Sequence, residues 1–163
     1  MRLSTAIFLL VLGLIFAQTA YYFPILPETV ASHFDAKGIA DSWMPKESFL
    51  IFELIIFVIV IGHFWLVPVL IEKMPDALIN LPNKQYWLAP ERRTETFSIF
   101  RNYFRWFSVG VLLLLLLINQ QVYRANLMHQ NLSATATWLI IGGFLIFTIV
   151  WMIKFIRQFK IKI

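Results

Sequence analysis

The chain contains no cysteine and little charge, since Asp, Glu, Lys and Arg together make up 14% of its 163 residues. The absence of cysteine excludes disulfides, thiolate metal sites and cysteine nucleophiles. The shortage of charge excludes an ordinary soluble domain, because 60% of the residues are hydrophobic and the mean hydropathy is +0.73. No internal repeat or separate soluble segment is visible. The composition therefore predicts a single membrane domain over residues 1–163.

Four apolar runs are long enough to cross the hydrocarbon core of a bilayer, which requires about 20 residues of helix. These runs cover residues 3–22, 49–71, 104–122 and 135–156. We expect helices, because backbone in lipid must satisfy its own hydrogen bonds. The predicted fold is therefore an all-α integral membrane protein with four transmembrane helices, joined by an outer loop at 24–47 and a cytoplasmic loop at 72–103.

The first run also has features of a secretory signal, because Arg2 precedes it and small residues lie near its end. Its apolar stretch continues through Tyr21 and Tyr22, however, beyond the roughly 7 to 15 residues of a signal core. Gln18 also stands where a cleavage site requires a small side chain. We therefore expect an uncleaved first helix, with cleavage as the alternative.

Lysine and arginine concentrate on one side of the predicted membrane. Eleven of the fourteen lie at the chain ends or around the middle loop: Arg2, Lys73, Lys84, Arg92, Arg93, Arg101, Arg105, Lys154, Arg157, Lys160 and Lys162. By the positive-inside rule, both termini and the middle loop are expected to be cytoplasmic. The net charge of +5 is thereby explained as a topology signal, and no nucleic-acid partner is expected.

The polar island at 26–46 separates the first two runs and is predicted to form a small hairpin on the outer surface. Pro24 and Pro27 end the first helix, and residues 35–38 supply turn chemistry. An isolated hairpin is only marginally stable, so it must pack on helix ends or on a partner. Phe34 and Trp43 are its expected anchors.

His33, Asp35 and Asp41 make the island the best place to look for a metal or proton site. His33 and Asp35 are two residues apart, so on a strand their side chains leave on the same face. The sequence has no accompanying metal-ligand spacing, and a hydrogen-bonding role for His33 is favoured. No metal and no cofactor is predicted.

Glu53 and His63 are ionisable residues within the second run, where burial is costly enough to suggest a function. Glu53 lies near the start of the run and is expected to reach the outer headgroups. His63 lies about 15 Å deeper and about 80° away around the helix, so the two are not a close pair. A packing role for His63, with one hydrogen bond to a neighbouring helix, is favoured over a proton relay.

The middle loop is predicted to lead directly into the third span. Pro90 suits the first turn of a helix, and a phenylalanine stripe from Phe97 onward indicates one long helix whose first turns are amphipathic and cytoplasmic. Asn119 and the two following glutamines are expected to mark its outer end. The candidate interaction residues in the loop are Asn80, Asn83, Tyr86, Trp87 and Arg92. Docking of a cytoplasmic protein on this basic, aromatic segment is an alternative role.

In the fourth run, Gly142 and Gly143 are predicted to permit close helix contact.

Two motifs resemble a small bacterial membrane-protein family of unknown function, whose domain also forms the N-terminal part of Sdp-type immunity proteins. The outer motif consists of Leu26-Pro27, His33-Phe34, Gly38, Asp41-x-Trp43 and Lys46. The inner motif consists of Asn80-x-Pro82-Asn83, Tyr86-Trp87-Leu88 and Pro90-x-Arg92. The resemblance implies protection of the producing cell from a secreted peptide toxin and signalling to a cytoplasmic repressor. It carries over no catalytic residue.

The first functional hypothesis is a non-catalytic protein of the bacterial inner membrane that recognises a peptide or partner through the outer loop. The candidate binding residues in that loop are His33, Phe34, Asp35, Asp41 and Trp43. A hydrophobic or cationic peptide would suit its aromatic and acidic side chains. The alternative is a small accessory subunit of a larger membrane complex, with the loops as assembly surfaces. A membrane enzyme or transporter is disfavoured, because no nucleophile motif, phosphate-binding loop or paired metal signature is present. The oligomeric state is not predicted.

Overall fold

The computed structural model describes residues 2–160. Lys162, which the sequence analysis assigned to the basic side, lies outside the described residues. The helices are α1 (Leu3–Tyr22), α2 (Lys46–Glu72), the short α3 (Lys84–Trp87), α4 (Pro90–Met128) and α5 (Ala134–Gln158), and the strands are β1 (Thr29–Phe34) and β2 (Ala40–Pro45). Within the described chain, α1, α2, α4 and α5 are long and apolar enough to cross a membrane.

The long helices alternate in direction so that the described ends of the chain lie at the same end of the bundle. Ser4 donates to the side chain of Asn102, and the hydroxyl of Thr19 lies 3.3 Å from that of Tyr123, so α1 runs parallel to α4. The contacts of α2 and α5 with α4 run in the opposite direction, as in the 3.0 Å bond from Trp151 Nε1 to the Tyr103 carbonyl. One end therefore carries the middle loop, and the other carries the hairpin.

Helix α4 is the central element of the bundle. At about 1.5 Å per residue its 39 residues extend for about 58 Å, against about 30 Å of hydrocarbon. Val109 and Leu112 on α4 pack with Phe8 and Ile15 of α1 and Phe57 of α2 to form the main apolar core. Helix α5 packs on α4, and none of its residues is buried.

The third predicted span was placed too short at its outer end. The helix does not end near Asn119 but continues to Met128, and His129 caps it with a positive φ of 50°. The physical reason is that its last turns have partners, because Val122 and Tyr123 are buried under the hairpin. Gln120 is satisfied within the bundle, where it donates to the hydroxyl of Tyr22 at 2.6 Å.

The island folds as an antiparallel hairpin of β1 and β2. Thr29 pairs with Pro45 and Phe34 with Ala40, and irregularities in the register flank His33. Two-stranded hairpins are marginally stable alone. Here Val30 is fully buried against Leu26, Phe49 and Tyr123, so the helix ends supply the missing core.

The close contact between α4 and α5 is formed by Gly110, and the prediction for Gly142 and Gly143 was wrong. A Cβ on Gly110 would lie 2.2 Å from Cε1 of Phe147, whereas a Cβ on Gly142 or Gly143 would meet nothing within 4 Å. The glycine pair therefore faces open space in the structure. The small residue that matters is on the opposite helix, where the ring of Phe147 lies over it.

We predict that Gly110→Ala lowers thermal stability in detergent, because the new methyl group collides with the Phe147 ring. Overpacking of this kind typically costs about 1–3 kcal/mol. The matched control is Gly143→Ala, which adds the same methyl group to open space and should leave the melting temperature unchanged or slightly higher. Equal effects of the two substitutions would contradict this assignment.

Candidate functional site

Asn126 fixes the hairpin to the end of α4. Its side-chain oxygen accepts the amide of Ala31 at 2.6 Å, and its side-chain nitrogen donates to the carbonyl of Ala31 at 3.0 Å. The same nitrogen also donates to the Val122 carbonyl at 3.0 Å. An amide side chain suits this position because it offers a donor and an acceptor together. The hairpin is thus held by hydrogen bonds in a buried setting, where leaving them unmade is costly.

The turn of the hairpin is fixed to the loop between α4 and α5. Gly38 has a φ of 82°, and a Cβ there would lie 2.0 Å from the carbonyl oxygen of Leu132, so only glycine fits. The amide of Leu132 donates to the Gly38 carbonyl at 2.8 Å. Asp35 closes the turn by accepting the amides of Lys37 and Ile39, each at 2.8 Å. Asp35 therefore has a structural role in the turn.

The structure pairs His33 with Asp41 instead of Asp35. Nδ1 of His33 is in hydrogen-bond contact with Oδ1 of Asp41 on the neighbouring strand, and both side chains are exposed. The predicted convergence of His33 and Asp35 on one face is wrong, because Asp35 lies beyond the strand and bonds to its own turn. Within residues 2–160, no group of three or more His, Asp or Glu residues is arranged to hold a metal ion.

A cleft of about 500 Å³ lies between the hairpin, α4 and α5, and we call it the hairpin cleft. Trp138 forms part of its wall and donates from Nε1 to the Ala36 carbonyl at 3.2 Å. Thr137 is one of its lining residues, and the buried hydroxyl of Thr137 has no hydrogen-bond partner within residues 2–160. Leucine and isoleucine side chains make the interior apolar, and the hairpin provides a polar rim. The cleft is lined by Ser32, His33, Phe34, Asp35, Ala36, Gly38, Leu114, Leu115, Ile118, Val122, Leu132, Ala134, Thr137, Trp138 and Ile141.

Trp43 lies outside the hairpin cleft. It borders a smaller recess of about 290 Å³, together with Phe34, Asn126 and His129. Its side chain is largely exposed, with 58% of the residue accessible, so Trp43 is not the buried anchor that the sequence suggested. Phe34 does pack against the buried cluster under the hairpin. Of the two predicted anchors, Phe34 is correct and Trp43 is wrong.

Glu53 does not extend to the outer headgroups as expected. Only 5% of the residue is exposed, and its Oε2 accepts a hydrogen bond of 2.7 Å from the hydroxyl of Tyr123. It lies seven residues into α2, about 10 Å along the axis, with its side chain between α2 and α4. Its Oε1 has no partner within the described chain. This oxygen is one of three buried side-chain atoms without a partner in the described chain, together with Oε1 of Gln18 and Oγ1 of Thr137.

Several polar side chains near Glu53 were missed as intramembrane residues. Gln18 donates to the Leu116 carbonyl at 3.1 Å and to Oε1 of Gln120 at 2.9 Å, and the ring of Tyr22 stacks on Tyr123. The signal was present, because Gln18 is a polar residue inside an apolar run. In the sequence, Gln18 serves only as an argument against signal cleavage. Polar residues in membrane helices commonly form hydrogen bonds to a neighbouring helix, and Gln18 does so here.

His63 lies on the outside of the bundle and not in this polar group. Its side chain is exposed, and its ring stands edge-on to Phe64 at 5.1 Å between centroids. The expected hydrogen bond to a neighbouring helix is not formed within residues 2–160. Rotation around α2 explains the difference, because the face that carries Glu53 and Phe57 is the face turned toward α4.

At the opposite end of the bundle, the middle loop holds the end of α5. Nδ2 of Asn83 and Nε1 of Trp87 both donate to the carbonyl of Phe159, at 3.0 and 2.9 Å. Carbonyls at a helix C-terminus lack partners within the helix, so two side-chain donors satisfy such a group here. Thr96 of α4 in turn donates to the Trp87 carbonyl at 2.7 Å. Asn83 and Trp87 therefore hold the end of α5, although Asn83 is exposed and Trp87 is half-buried.

The remaining loop residues are closer to the surface. The guanidinium of Arg92 lies 3.7 Å from the centre of the Tyr86 ring, a cation–π contact that orders both side chains. Asn80 is exposed and borders an open depression of the loop. The structure thus divides the predicted loop residues into two groups. Asn83 and Trp87 hold the end of α5, whereas Asn80, Tyr86 and Arg92 are not bonded to it within the described chain.

Comparison with known proteins identifies part of the chain. A family model described as a domain of unknown function, DUF1648, matches residues 8–57. The match covers most of α1, the whole hairpin and the first turns of α2, and it includes the outer motif at 26–46. The inner motif at 80–92 lies beyond it. No curated protein and no solved structure matches the chain.

We predict that Asn126→Leu loosens the hairpin, because it leaves the amide and carbonyl of Ala31 buried without their partner. Each such unsatisfied group typically costs about 1–3 kcal/mol. Hydrogen–deuterium exchange should therefore accelerate across residues 29–45 while the helices remain protected. Gln121→Leu is the control on the same helix, because its side chain forms no hydrogen bond within the described chain. Unchanged exchange in Asn126→Leu would rule out this anchoring role.

Proposed function

We propose that the chain is a non-catalytic protein of the bacterial inner membrane that recognises a hydrophobic, cationic peptide in the hairpin cleft. The observation that carries the proposal is the construction of this cleft. It combines an apolar interior with a polar rim, and hydrogen bonds from Trp138 to Ala36 and from Leu132 to Gly38 hold its walls in place. Such a combination is typical of binding sites, where a few polar groups orient a largely apolar ligand.

The charge around the hairpin favours a cationic partner. Glu28, Asp35, Asp41 and Glu47 lie on or beside the hairpin, together with Lys37 and Lys46. Lys46 is paired with Glu28, and Asp41 with His33, which leaves Asp35 at the rim of the cleft. Both backbone amides bond to Oδ1 of Asp35, so its Oδ2 can accept a hydrogen bond from a lysine or arginine of a bound peptide.

The proposed orientation places the hairpin outside the cell and the middle loop in the cytoplasm. Ten described lysines and arginines lie at the middle-loop end of the bundle, whereas Lys37, Lys46 and Arg124 lie toward the hairpin end. This asymmetry matches the positive-inside rule. With this orientation a peptide released by the cell reaches the hairpin cleft without crossing the membrane, as an immunity protein of the Sdp type would require.

Helix α5 offers a route between the two ends. Near its start Trp138 forms a wall of the hairpin cleft, and at its end the carbonyl of Phe159 is held by the middle loop. Between these points it packs mainly on one neighbour, α4, through contacts such as Phe147 over Gly110 and the bond from Trp151 to Tyr103. A peptide that displaces Trp138 would therefore act on a helix that can shift, and the shift would reach Asn83 and Trp87. This is the proposed means of signalling.

A second candidate function is that of an accessory subunit in a larger membrane complex. The observation in its favour is the outward face of α5, where large apolar side chains such as Leu139, Leu145 and Ile146 are exposed. Lipid can cover this face, and so can a helix of another subunit. In the first function the partner occupies the hairpin cleft, and in the second it covers the middle of α5.

We predict that a photoreactive benzoylphenylalanine at position 138 forms an adduct with a hydrophobic, lysine- or arginine-containing peptide in producing cells. The same residue at position 145 is the control, because Leu145 is exposed on α5 but does not line the hairpin cleft. Mass spectrometry of the adducts identifies the bound molecule. A peptide at 138 and lipid at 145 would support recognition.

Two other results of this experiment decide against peptide recognition at the cleft. A membrane protein captured in stoichiometric amount at 145, with lipid alone at 138, would favour the accessory subunit. A peptide adduct obtained at position 43 but not at 138 would move recognition to the smaller recess beside Trp43.

A further inference from the structure

At the basic end of the bundle a second depression lies between α4 and α5, and the proposed function does not involve it. It measures about 640 Å³ and includes Arg2, Ser98, Asn102, Lys154 and Gln158 among its lining residues. Two of these are cationic, and no acidic residue of the described chain lines the depression. We call it the basic groove.

Both cations have donors available for an anion. The guanidinium of Arg2 donates two hydrogen bonds to Ser98. Nη1 donates to the backbone carbonyl at 3.0 Å, and Nη2 donates to the hydroxyl. A guanidinium has five N–H groups, so others remain. The ammonium of Lys154 forms no hydrogen bond or ion pair within residues 2–160. Arg2 lies just before α1 and Lys154 lies in α5, and both line the same depression, which concentrates positive charge there.

The basic groove continues into an apolar channel along the helices. A neighbouring depression of about 450 Å³ shares Trp106 and Phe147 with it, and extends past Gly143 to Leu117 and Leu139. Gly143 keeps this channel open, because nothing lies within 4 Å of where its Cβ would be. The channel runs from the basic end toward the middle of the membrane.

The aromatic residues of the groove mark the level of the headgroups. Tyr103, Trp106 and Trp151 line it between the cations and the apolar channel. Tyrosine and tryptophan are enriched at the membrane–water interface, where an apolar ring and a polar atom are both accommodated. The order along the groove is therefore cation, aromatic and aliphatic, which is the order of an anionic headgroup, a glycerol backbone and an acyl chain.

We propose that the basic groove and its apolar channel form a binding site for one anionic phospholipid, with the phosphate between Arg2 and Lys154 and an acyl chain against Gly143. Charge complementarity selects this occupant over a zwitterionic lipid, and basic pockets between transmembrane helices are typical sites for anionic headgroups. The bound lipid fills the space beside α5 that the protein itself leaves open. The phosphate lies at the opposite end of the bundle from the hairpin cleft, and the channel meets the cleft only at their shared lining residue Leu114.

The test uses the full-length protein in detergent, with native mass spectrometry after addition of phosphatidylglycerol or phosphatidylcholine. The wild type should retain phosphatidylglycerol in preference to phosphatidylcholine. Lys154→Gln should reduce that retention about fivefold, the usual effect of one cation near an anionic surface. Arg157→Gln is the control, because it removes an exposed charge from the same helix end but does not line the groove.

A second pair of variants tests the channel. Gly143→Leu should weaken retention of phosphatidylglycerol by filling the channel, while Gly142→Leu, outside the lining, should not. Lys154 is exposed, so Lys154→Gln provides an independent test if Gly143→Leu fails to fold.

The site would be overturned by equal losses of lipid retention for Lys154→Gln and Arg157→Gln, or by a Gly143→Leu protein that folds and retains lipid normally. If inorganic phosphate competed fully with the lipid, the channel would not contribute to binding and the proposed acyl-chain site would be rejected. If a second copy of the chain were cross-linked in the groove, the occupant would be protein and not lipid.

Discussion

The length of α4 is the constraint on which the rest of the structure depends. Its 39 residues extend well beyond the hydrocarbon thickness, so it projects at both ends of the bundle. Each projecting end has a segment docked on it, the hairpin at one end and the middle loop at the other. The hairpin cannot be stable alone, and the buried side chains of Tyr123 and Asn126 on α4 provide the surface that it requires.

Helix α5 is fixed at its ends and packs mainly on α4 between them. Trp138 bonds to the hairpin turn, Phe159 is held by two side chains of the middle loop, and Gly110 allows Phe147 close to α4. This arrangement leaves space beside the helix at both ends. One space is the hairpin cleft, which is apolar with an acidic side chain at its rim, and the other is the basic groove. The two proposed ligands differ in charge because the two ends of the protein do.

The sequence predicts the helices well and the contacts between them poorly. Long apolar runs locate α1, α2 and α5 within a few residues, because hydrocarbon thickness sets their length. Turn residues likewise locate the hairpin, since Gly38 and Asp35 have local roles. The errors at Trp43 and at His33 with Asp35 concern the details of the hairpin. Those at Glu53, His63, Gly142 and Gly143 and at the hairpin end of α4 all depend on what lies opposite. A polar or small residue in a span has a partner that only the helix arrangement reveals, as Tyr123 is for Glu53 and Phe147 for Gly110.

The central claim is that the hairpin cleft faces outward, where a released peptide can reach it. The absence of cysteine makes the direct test clean, because single cysteines can be introduced without background. Lys37→Cys in the hairpin turn and Gln85→Cys in the middle loop are both at exposed positions. A membrane-impermeant maleimide applied to intact cells should label Lys37→Cys, and should label Gln85→Cys only after the inner membrane is permeabilised. Labelling of Gln85→Cys in intact cells, with Lys37→Cys protected, would contradict the account.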